Sequence, residues 1–199
     1  MTNLYKRILT SLIILPVSIF FIFMGGNYIV SFLYAILILG NFEVFSVFKR
    51  KFTIIFLDII LVLALLAILH LRNDTMSSFV LLLWAIIVTI SSDIGGYAFG
   101  KIFKGKKLTK ISPNKTYAGM LGGFILSIIL ANIYLNNLNF LSLEGPNIDM
   151  RIEIMMIVLS ISFISQVGDL TISLFKRKSK IKNTGKIIPG HGGLLDRID

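Results

Sequence analysis

The chain has 199 residues, of which 55% are hydrophobic, and it carries a formal net charge of +10 with no cysteine. Soluble domains average roughly 45–50% apolar residues, and the apolar runs of this sequence are too long for ordinary buried helices or strands. A soluble domain is therefore excluded. The lack of cysteine also excludes a disulfide framework, thiolate metal ligation and a cysteine nucleophile.

Six apolar segments follow one another along the chain, and each is near the ~17–25 residues that cross hydrocarbon as a helix. They cover residues 8–24, 28–48, 52–71, 76–99, 117–135 and 152–175. Short polar turns join the first to the second and the third to the fourth, which is typical of helical hairpins. The sequence predicts an all-α, polytopic transmembrane helical bundle of about six spans, forming a single membrane domain over residues 1–199.

The basic residues are distributed unevenly around these segments. Of the 20 Lys and Arg residues, only Arg72 and Arg151 fall in the loops of one side. Because cytoplasmic loops are enriched in Lys and Arg, both termini are expected in the cytoplasm. This pattern predicts a multi-pass membrane protein with a basic cytoplasmic face. Since the charge lies in membrane loops, nucleic acid is not an expected partner.

Ionisable groups inside apolar spans cost several kcal/mol unless they are paired or hydrated. Asp93, near the end of the fourth segment, and Asp169, in the sixth, are the informative cases. Around Asp169, polar residues recur at spacings of three and four, so they share one helix face that must contact protein or water. These residues are Ser162, Ser165, Gln166 and Ser173. For Asp93, hydrogen bonding between helices remains an alternative to a functional role.

Two other carboxylates are expected to be structural. Asp58 lies about one turn from the basic loop around Lys49, Arg50 and Lys51, so snorkelling or a structural role is favoured. Glu43 is expected to be neutralised by Lys49, Arg50 or lipid headgroups.

The loops after Asp93 and Asp169 are rich in lysine, glycine and serine, the groups that surround phosphates in proteins. Asp196 and Asp199 are three residues apart, and together with Asp169 they would supply hard oxygen ligands for Mg²⁺. His191, flanked by glycines, is expected to bind phosphate, orient a ligand or cap a turn. The combination favours metal-assisted phosphoryl or nucleotidyl transfer, whereas a plain polybasic surface for anionic lipids is the alternative.

At these residues the chain resembles the phosphatidate cytidylyltransferase family, the CDP-diacylglycerol synthases. The C-terminal signature matches in one ungapped register at Ser173, Lys176, Arg177, Lys182, Pro189, Gly190, His191, Gly192, Gly193, Asp196, Arg197 and Asp199. Earlier elements match at Asp93, Gly96, Tyr97, Ser112, Pro113, Lys115, Thr116, Gly119, Gly122 and Gly123. The resemblance is strong over residues 85–199, the predicted catalytic core, and weaker over the N-terminal membrane helices of residues 1–84.

The resemblance implies transfer of a cytidylyl group from CTP to phosphatidate, giving CDP-diacylglycerol and pyrophosphate in phospholipid biosynthesis. It assigns Mg²⁺ to Asp169 and Asp196. The implied catalytic residues are Asp169, Ser173, Lys176, Arg177, Lys182, His191, Asp196, Arg197 and Asp199. The implied substrate-binding residues are Asp93, Ser112, Pro113, Lys115, Thr116, Gly190, Gly192 and Gly193. CTP, phosphatidate and membrane lipids are the expected partners, and a homodimer stays an open alternative.

Two positions depart from the family pattern, and each removes one carboxylate. Asn183 stands where the family normally has Asp, and Ala118 stands in a segment that normally continues with an aromatic residue and Glu. Family members also continue beyond the position of Asp199 into at least one more membrane helix. We therefore expect the 199 residues to be a truncated version with weak or no activity, and an added C-terminal helix to order Asp196 and raise turnover.

Three other functions remain open from the residues alone. The chain could transfer a cytidylyl group to another lipid phosphate, or it could be a catalytically impaired relative. It could also be a cation transporter or channel that uses Asp93 and Asp169, although a transporter is expected to show internal repeats and none is visible in the sequence.

Overall fold

The computed structural model describes residues 3–72, 75–109, 112, 114–140, 152–181, 183–185, 187–190 and 192–198. Its helices are α1 (Asn3–Met24), α2 (Gly26–Val47), α3 (Lys51–Leu71), α4 (Met76–Phe103), α5 (Tyr117–Phe140), α6 (Ile152–Lys178) and the short α7 (Leu195–Ile198). Within these residues, the extended pairing is limited to two isolated β-bridges, Lys107 with Thr116 and Ile188 with Gly192.

Helices α1 to α6 are each long and apolar enough to cross a membrane. The prediction of an all-α, polytopic membrane protein is confirmed. The predicted ends of α4, α5 and α6 are too early, because the helices continue through the polar residues that follow each predicted apolar run. Helix α4 ends where Lys104 and Gly105 take positive φ angles of 51° and 48°, and α6 is followed by Lys180 with φ 56°.

The chain divides into two compact units. The first contains residues 1–74 and 175–199, and the second contains residues 75–174. Helix α6 contributes to both. The predicted division between N-terminal membrane helices and a catalytic core from residue 85 remains a prediction.

In the first unit, apolar side chains at helical spacing form the contact between α2 and α3. Ile29 and Leu33 of α2 and Leu57, Leu61 and Leu65 of α3 are buried. The C-terminal part of α6, which belongs to this unit, is held in part by an aromatic contact with α3. The ring centroids of Phe56 and Phe175 lie 5.5 Å apart. This contact places the residues that follow α6 beside α3.

In the second unit, α4, α5 and α6 share one hydrophobic core. It contains Val80, Trp84 and Val88 from α4, Ala131 and Leu135 from α5, and Val158 from α6. Above this core, glycines allow the backbones of α4 and α5 to approach closely, as small residues do between membrane helices. A Cβ atom at Gly95 would overlap the carbonyl oxygen of Gly122, whereas one at Gly96 would meet the carbonyl oxygen of Gly119 at 3.8 Å, an ordinary contact distance.

Gly95→Ala and Gly96→Ala form a matched pair for testing this contact. Both changes replace a glycine inside α4, so both gain about 1 kcal/mol of helix propensity. Only Gly95→Ala must also displace α5, and overpacking of this kind typically costs about 1–3 kcal/mol. We expect Gly95→Ala to be the less stable variant when unfolding is measured by denaturant titration in detergent micelles. Equal stabilities would contradict the close approach of the two helices.

Candidate functional site

A polar cavity of about 410 Å³ lies in the second unit. It is bounded by α4, by α6 and by the segment that precedes α5. Five predicted site residues line it: Asp93, Ser112, Lys115, Thr116 and Asp169. The remaining lining residues are Ser92, Gly96, Tyr97, Leu108, Asn114 and Gln166. The structure therefore brings residues from three separate segments of the sequence to one cavity, which we call the carboxylate cavity.

The polar face predicted for α6 positions one wall of this cavity. The hydroxyl groups of Ser162 and Ser92 lie 2.7 Å apart and both side chains are buried. One turn further along α6, the Gln166 amide donates to the Ser92 hydroxyl and to the Met120 carbonyl oxygen, each at 3.4 Å. These bonds fix the rotation of α6 against α4 and α5. Asp169 follows on the same helix face and reaches the cavity.

A tight loop before α5 presents Lys115 to the cavity. The backbone N–H of Leu108 donates to the Lys115 carbonyl at 2.7 Å, and that of Tyr117 donates to the Lys106 carbonyl at 3.1 Å. The Thr116 hydroxyl accepts a hydrogen bond from the Gly119 N–H at 3.1 Å, which caps the start of α5. Thr116 thus has a structural role in addition to its place on the cavity wall.

Lys115 and Asp169 form an ion pair across the carboxylate cavity, with 2.7 Å between Nζ and Oδ2. Their side chains remain 27% and 37% exposed. Pairs with this much solvent contact contribute only about 0–1 kcal/mol to stability. A bound ligand can therefore replace this ion pair at low cost. Lys115 would then contact an anionic group of the ligand, and Asp169 would contact a cation.

In the first unit, Asp196 organises the segment that carries the C-terminal signature. Its Oδ2 atom accepts hydrogen bonds from the backbone N–H groups of Thr184 at 2.8 Å and Gly193 at 3.0 Å. Its Oδ1 atom accepts from Nζ of Lys176 at 2.9 Å, and the Asp196 side chain is only 8% exposed. Burial alone raises the pKa of Asp196, but the hydrogen bonds and charge of these donors outweigh it and hold that pKa below its ordinary value.

Glu43 on α2 has a structural role whose partners could not be read from the sequence. Its carboxylate is buried, with the residue 1% exposed, and accepts from the N–H of Leu194 at 2.7 Å and that of Leu195 at 3.0 Å. The Thr184 hydroxyl donates to it at 3.2 Å. The expectation that lipid headgroups or Lys49 and Arg50 neutralise Glu43 is wrong, because the carboxylate is held by backbone N–H donors of the signature segment. The only signal in the sequence was an unpartnered carboxylate near the end of an apolar span.

The glycine-rich part of the signature forms a turn, described at residues 188–190, 192 and 193, that contacts α1. Ile188 and Gly192 exchange backbone hydrogen bonds of 2.9 and 3.1 Å. The Arg7 guanidinium donates to the Gly190 carbonyl oxygen at 2.8 Å. Gly192 has a φ of 101°, and a Cβ there would lie 2.7 Å from Oδ2 of Asp196. Both the backbone angle and the close carboxylate require glycine at this position.

The other predicted site residues are less informative. Ser173 is half-buried on α6, and Arg177 and Arg197 are exposed. Pro113, Lys182, His191 and Asp199 lie outside the described residues. Asp58, expected to be structural, is half-buried on α3, and its Oδ1 atom has no hydrogen-bond partner in the described part of the first unit.

The residues of the carboxylate cavity fit a magnesium ion better than Asp196 does. Mg²⁺ typically takes one or two carboxylates and keeps several waters, and Asp93 and Asp169 line one solvent-accessible cavity. Both oxygens of Asp196 are engaged, so it would accept a cation only by releasing Lys176. Among the described residues, no group of three or more His, Cys, Asp or Glu side chains is arranged to hold a metal. Joint ligation by Asp169 and Asp196, which belong to different units, stays a prediction.

Comparison with known proteins gives a consistent set of matches. The family model described as "Cytidylyltransferase family" matches residues 48–199. A phosphatidate cytidylyltransferase of Rickettsia bellii is 34% identical over 201 residues, covering 100% of this chain and 86% of the relative. Those of Haemophilus influenzae and Bacillus subtilis are 39% and 36% identical, over 65% and 66% of this chain. The chain spans less than half of these two relatives, 44% and 46% of their lengths.

The role of Glu43 can be tested by comparing Glu43→Gln with Glu153→Gln. The first change replaces an acceptor oxygen with an amide that faces a backbone N–H donor, and an unsatisfied buried polar group costs about 1–3 kcal/mol. Glu153 is exposed at the start of α6, so the same change there should cost less than about 0.5 kcal/mol. Hydrogen exchange should show faster exchange at the Leu194 and Leu195 amides in Glu43→Gln alone. Unchanged exchange in that variant would contradict the role assigned to Glu43.

Proposed function

Because the chain belongs to the cytidylyltransferase family, we propose that it transfers a cytidylyl group from CTP to phosphatidate, giving CDP-diacylglycerol and pyrophosphate. The relatives that it matches are named phosphatidate cytidylyltransferase. The structural observation that carries the proposal is the carboxylate cavity, in which Asp93, Lys115 and Asp169 lie together in a protein of six apolar helices.

The charges of this cavity suit a reaction between two phosphates. A nucleoside triphosphate needs cations around its phosphate oxygens, and Lys115 supplies one on the cavity wall. The two carboxylates suit a divalent cation that accompanies the triphosphate. A cavity in a chain of apolar helices also suits an acyl-chain substrate that stays in the bilayer. These features support nucleotidyl transfer to a lipid more than they support ion conduction.

In the proposed reaction, an oxygen of the phosphatidate phosphate attacks the α-phosphorus of CTP. A new oxygen–phosphorus bond forms, and the bond from the α-phosphorus to the β-phosphate oxygen breaks as pyrophosphate leaves with the electron pair. A phosphate monoester is already anionic near neutral pH, so the nucleophile needs no general base. Lys115, once it leaves Asp169, can donate to a phosphate oxygen and stabilise the negative charge of the transition state.

Magnesium is the cofactor that we propose. The family resemblance assigns it to Asp169 and Asp196, and Asp93, which lines the carboxylate cavity with Asp169, is a further carboxylate that would hold it. When bound, it would polarise the phosphates and balance the charge of the pyrophosphate leaving group. The part played by the chain itself is to hold Asp169 on the rigid polar face of α6 and to keep Asp196 ordered through its backbone hydrogen bonds. Preorganisation of this kind is important because displacements of about 1 Å reduce catalysis severely.

We also propose that the reaction takes place at the cytoplasmic face of a bacterial inner membrane. The loop before α5 and the segment after α6 are the most basic parts of the chain, as expected of cytoplasmic loops. Soluble CTP would enter from that side, and phosphatidate would enter from the bilayer. A homodimer remains an open part of this proposal.

Asp169→Asn tests the proposal against Asp58→Asn, the same chemical change at another aspartate within an apolar helix. We expect Asp169→Asn to lower the rate of CDP-diacylglycerol formation by about 100-fold or more, the scale for removing one preorganised electrostatic contact. It should also raise the magnesium concentration needed for half-maximal rate. Asp58→Asn should keep most of the activity. If Asp169→Asn kept more than about a tenth of the wild-type rate, Asp169 would not belong to the reaction site.

A further inference from the structure

A second cavity, in the first unit, is lined mainly by cations. It has a volume of about 270 Å³ and lies where the segment joining α2 to α3 meets the end of α6. Its lining residues are Val47, Lys49, Arg50, Lys178, Ser179 and Lys180. Four of the six carry a positive charge and none carries a negative one. We call this site the basic cavity.

The cations of the basic cavity have no carboxylate partner in the described part of the chain. The ion pairs found there are Lys115 with Asp169 and Lys176 with Asp196. Glu43, the carboxylate closest in sequence to Lys49, is buried and accepts hydrogen bonds from the signature segment. Like charges around one cavity repel one another, so an anion bound there would relieve an unfavourable interaction.

The backbone at the end of α6 is shaped so that Lys180 lines this cavity. The N–H of Lys180 donates to the Arg177 carbonyl and that of Ile181 donates to the Lys176 carbonyl, each at 3.0 Å. This pattern is a Schellman motif, in which glycine is favoured at the left-handed position. Lys180 occupies that position with φ 56°, although a left-handed residue other than glycine costs roughly 1–2 kcal/mol. Strained positions of this kind cluster at ligand sites.

A simpler explanation accounts for the presence of the cations but not for their meeting around one cavity. Lysines near the C-terminus of a helix interact favourably with the helix dipole, which explains Lys178 and Lys180 without any ligand. The same effect applies to Lys49 and Arg50, which follow the C-terminal end of α2 at Val47, but it does not require the two segments to meet around one cavity. An anion shared by both segments accounts for all four.

We propose that the basic cavity binds a phosphate-bearing anion, either a lipid phosphate headgroup or free phosphate. The Arg50 guanidinium, the lysine ammonium groups and the Ser179 hydroxyl are donors that match phosphate oxygens. The cavity is smaller than the roughly 300–1,000 Å³ of sites for drug-sized ligands, so it fits a phosphate group rather than a whole nucleotide. This site lies in a different unit from the carboxylate cavity, and its existence does not depend on the proposed reaction.

The test uses Ser179→Cys in the full chain, which contains no other cysteine. The rate of labelling by uncharged N-ethylmaleimide is measured in a zwitterionic detergent at constant ionic strength, with increasing inorganic phosphate or dihexanoyl phosphatidate replacing chloride. We expect saturable protection by at least one of the two ligands. If neither ligand slows labelling, the proposal fails.

Charge variants distinguish binding of the ligand in the basic cavity from binding to a diffuse basic surface. Lys49→Gln combined with Lys180→Gln should raise the half-protecting concentration about tenfold or more, equivalent to about 1.4 kcal/mol. Lys51→Gln is the matched control, because Lys51 is exposed at the start of α3 but does not line the cavity. Its effect should be less than about twofold. Equal losses in the double variant and in Lys51→Gln would overturn the proposal.

A second readout avoids the cysteine substitution. In the chain with Ser179 intact, the same ligands should raise the thermal unfolding midpoint of the wild type and of Lys51→Gln more than that of the double variant. An equal rise in all three would overturn the proposal. Stronger protection by phosphatidate than by inorganic phosphate would identify a lipid headgroup as the ligand, whereas stronger protection by inorganic phosphate would identify free phosphate. Turnover is not measured, so failure of the proposed reaction would leave this result unaffected.

Discussion

The first unit depends on a hydrogen-bonding constraint in its signature segment, residues 183–195. The described residues of this segment have little secondary structure of their own, and buried backbone N–H groups need acceptors. Two carboxylates supply them: Glu43 accepts from Leu194 and Leu195, and Asp196 accepts from Thr184 and Gly193. The segment is therefore ordered by side chains that are themselves acidic, in the part of the chain where phosphate and metal chemistry is proposed.

The proposed reaction needs both cations, which bind the phosphates, and carboxylates, which bind the metal ion. The arrangement described above supplies the carboxylates. Asp196 is already balanced by Lys176, and in the second unit Asp169 is balanced by Lys115. The two pairs differ in exposure, since the Asp196 side chain is 8% exposed and that of Asp169 is 37% exposed. The buried pair is suited to holding structure, because breaking it would leave an uncompensated charge. The exposed pair is suited to exchanging partners with a ligand.

Much of this organisation could be predicted from the sequence. Hydropathy gave the six apolar helices, and helical spacing correctly indicated that the polar face of α6 contacts protein, as the bond between Ser92 and Ser162 shows. The family motifs identified Asp93 and Lys115, and the polar face of α6 identified Asp169; all three line one cavity. These successes concern periodicity and residue type, which are local properties of the chain.

Pairings between distant residues could not be predicted. Glu43 and Leu194 are 151 residues apart, and Lys115 and Asp169 are 54 apart. Which lysine meets which aspartate depends on the rotation and spacing of helices, and many lysines were equally plausible in the sequence. The role of Glu43 was missed for this reason. Its partners are backbone groups, which every residue has and no motif marks.

In the second unit, too, the sequence indicates residue types but not the contacts between helices. The sequence shows that both α4 and α5 contain glycines, but only the structure shows that Gly95 meets Gly122 while Gly96 has room. The capping role of Thr116 is likewise a matter of geometry, because its hydroxyl accepts from Gly119 at the start of α5. A residue that matches a family signature can therefore serve the fold as well as the site.

The most direct test of the proposed function follows the phosphorus atoms of CTP. The purified chain, reconstituted with phosphatidate and Mg²⁺, is given CTP labelled in the α-phosphate or, in parallel, in the γ-phosphate. Nucleotidyl transfer predicts that the α label enters the lipid fraction and that the γ label leaves as pyrophosphate in equal amount. Entry of the γ label into lipid would indicate phosphoryl transfer instead. That result would contradict the account.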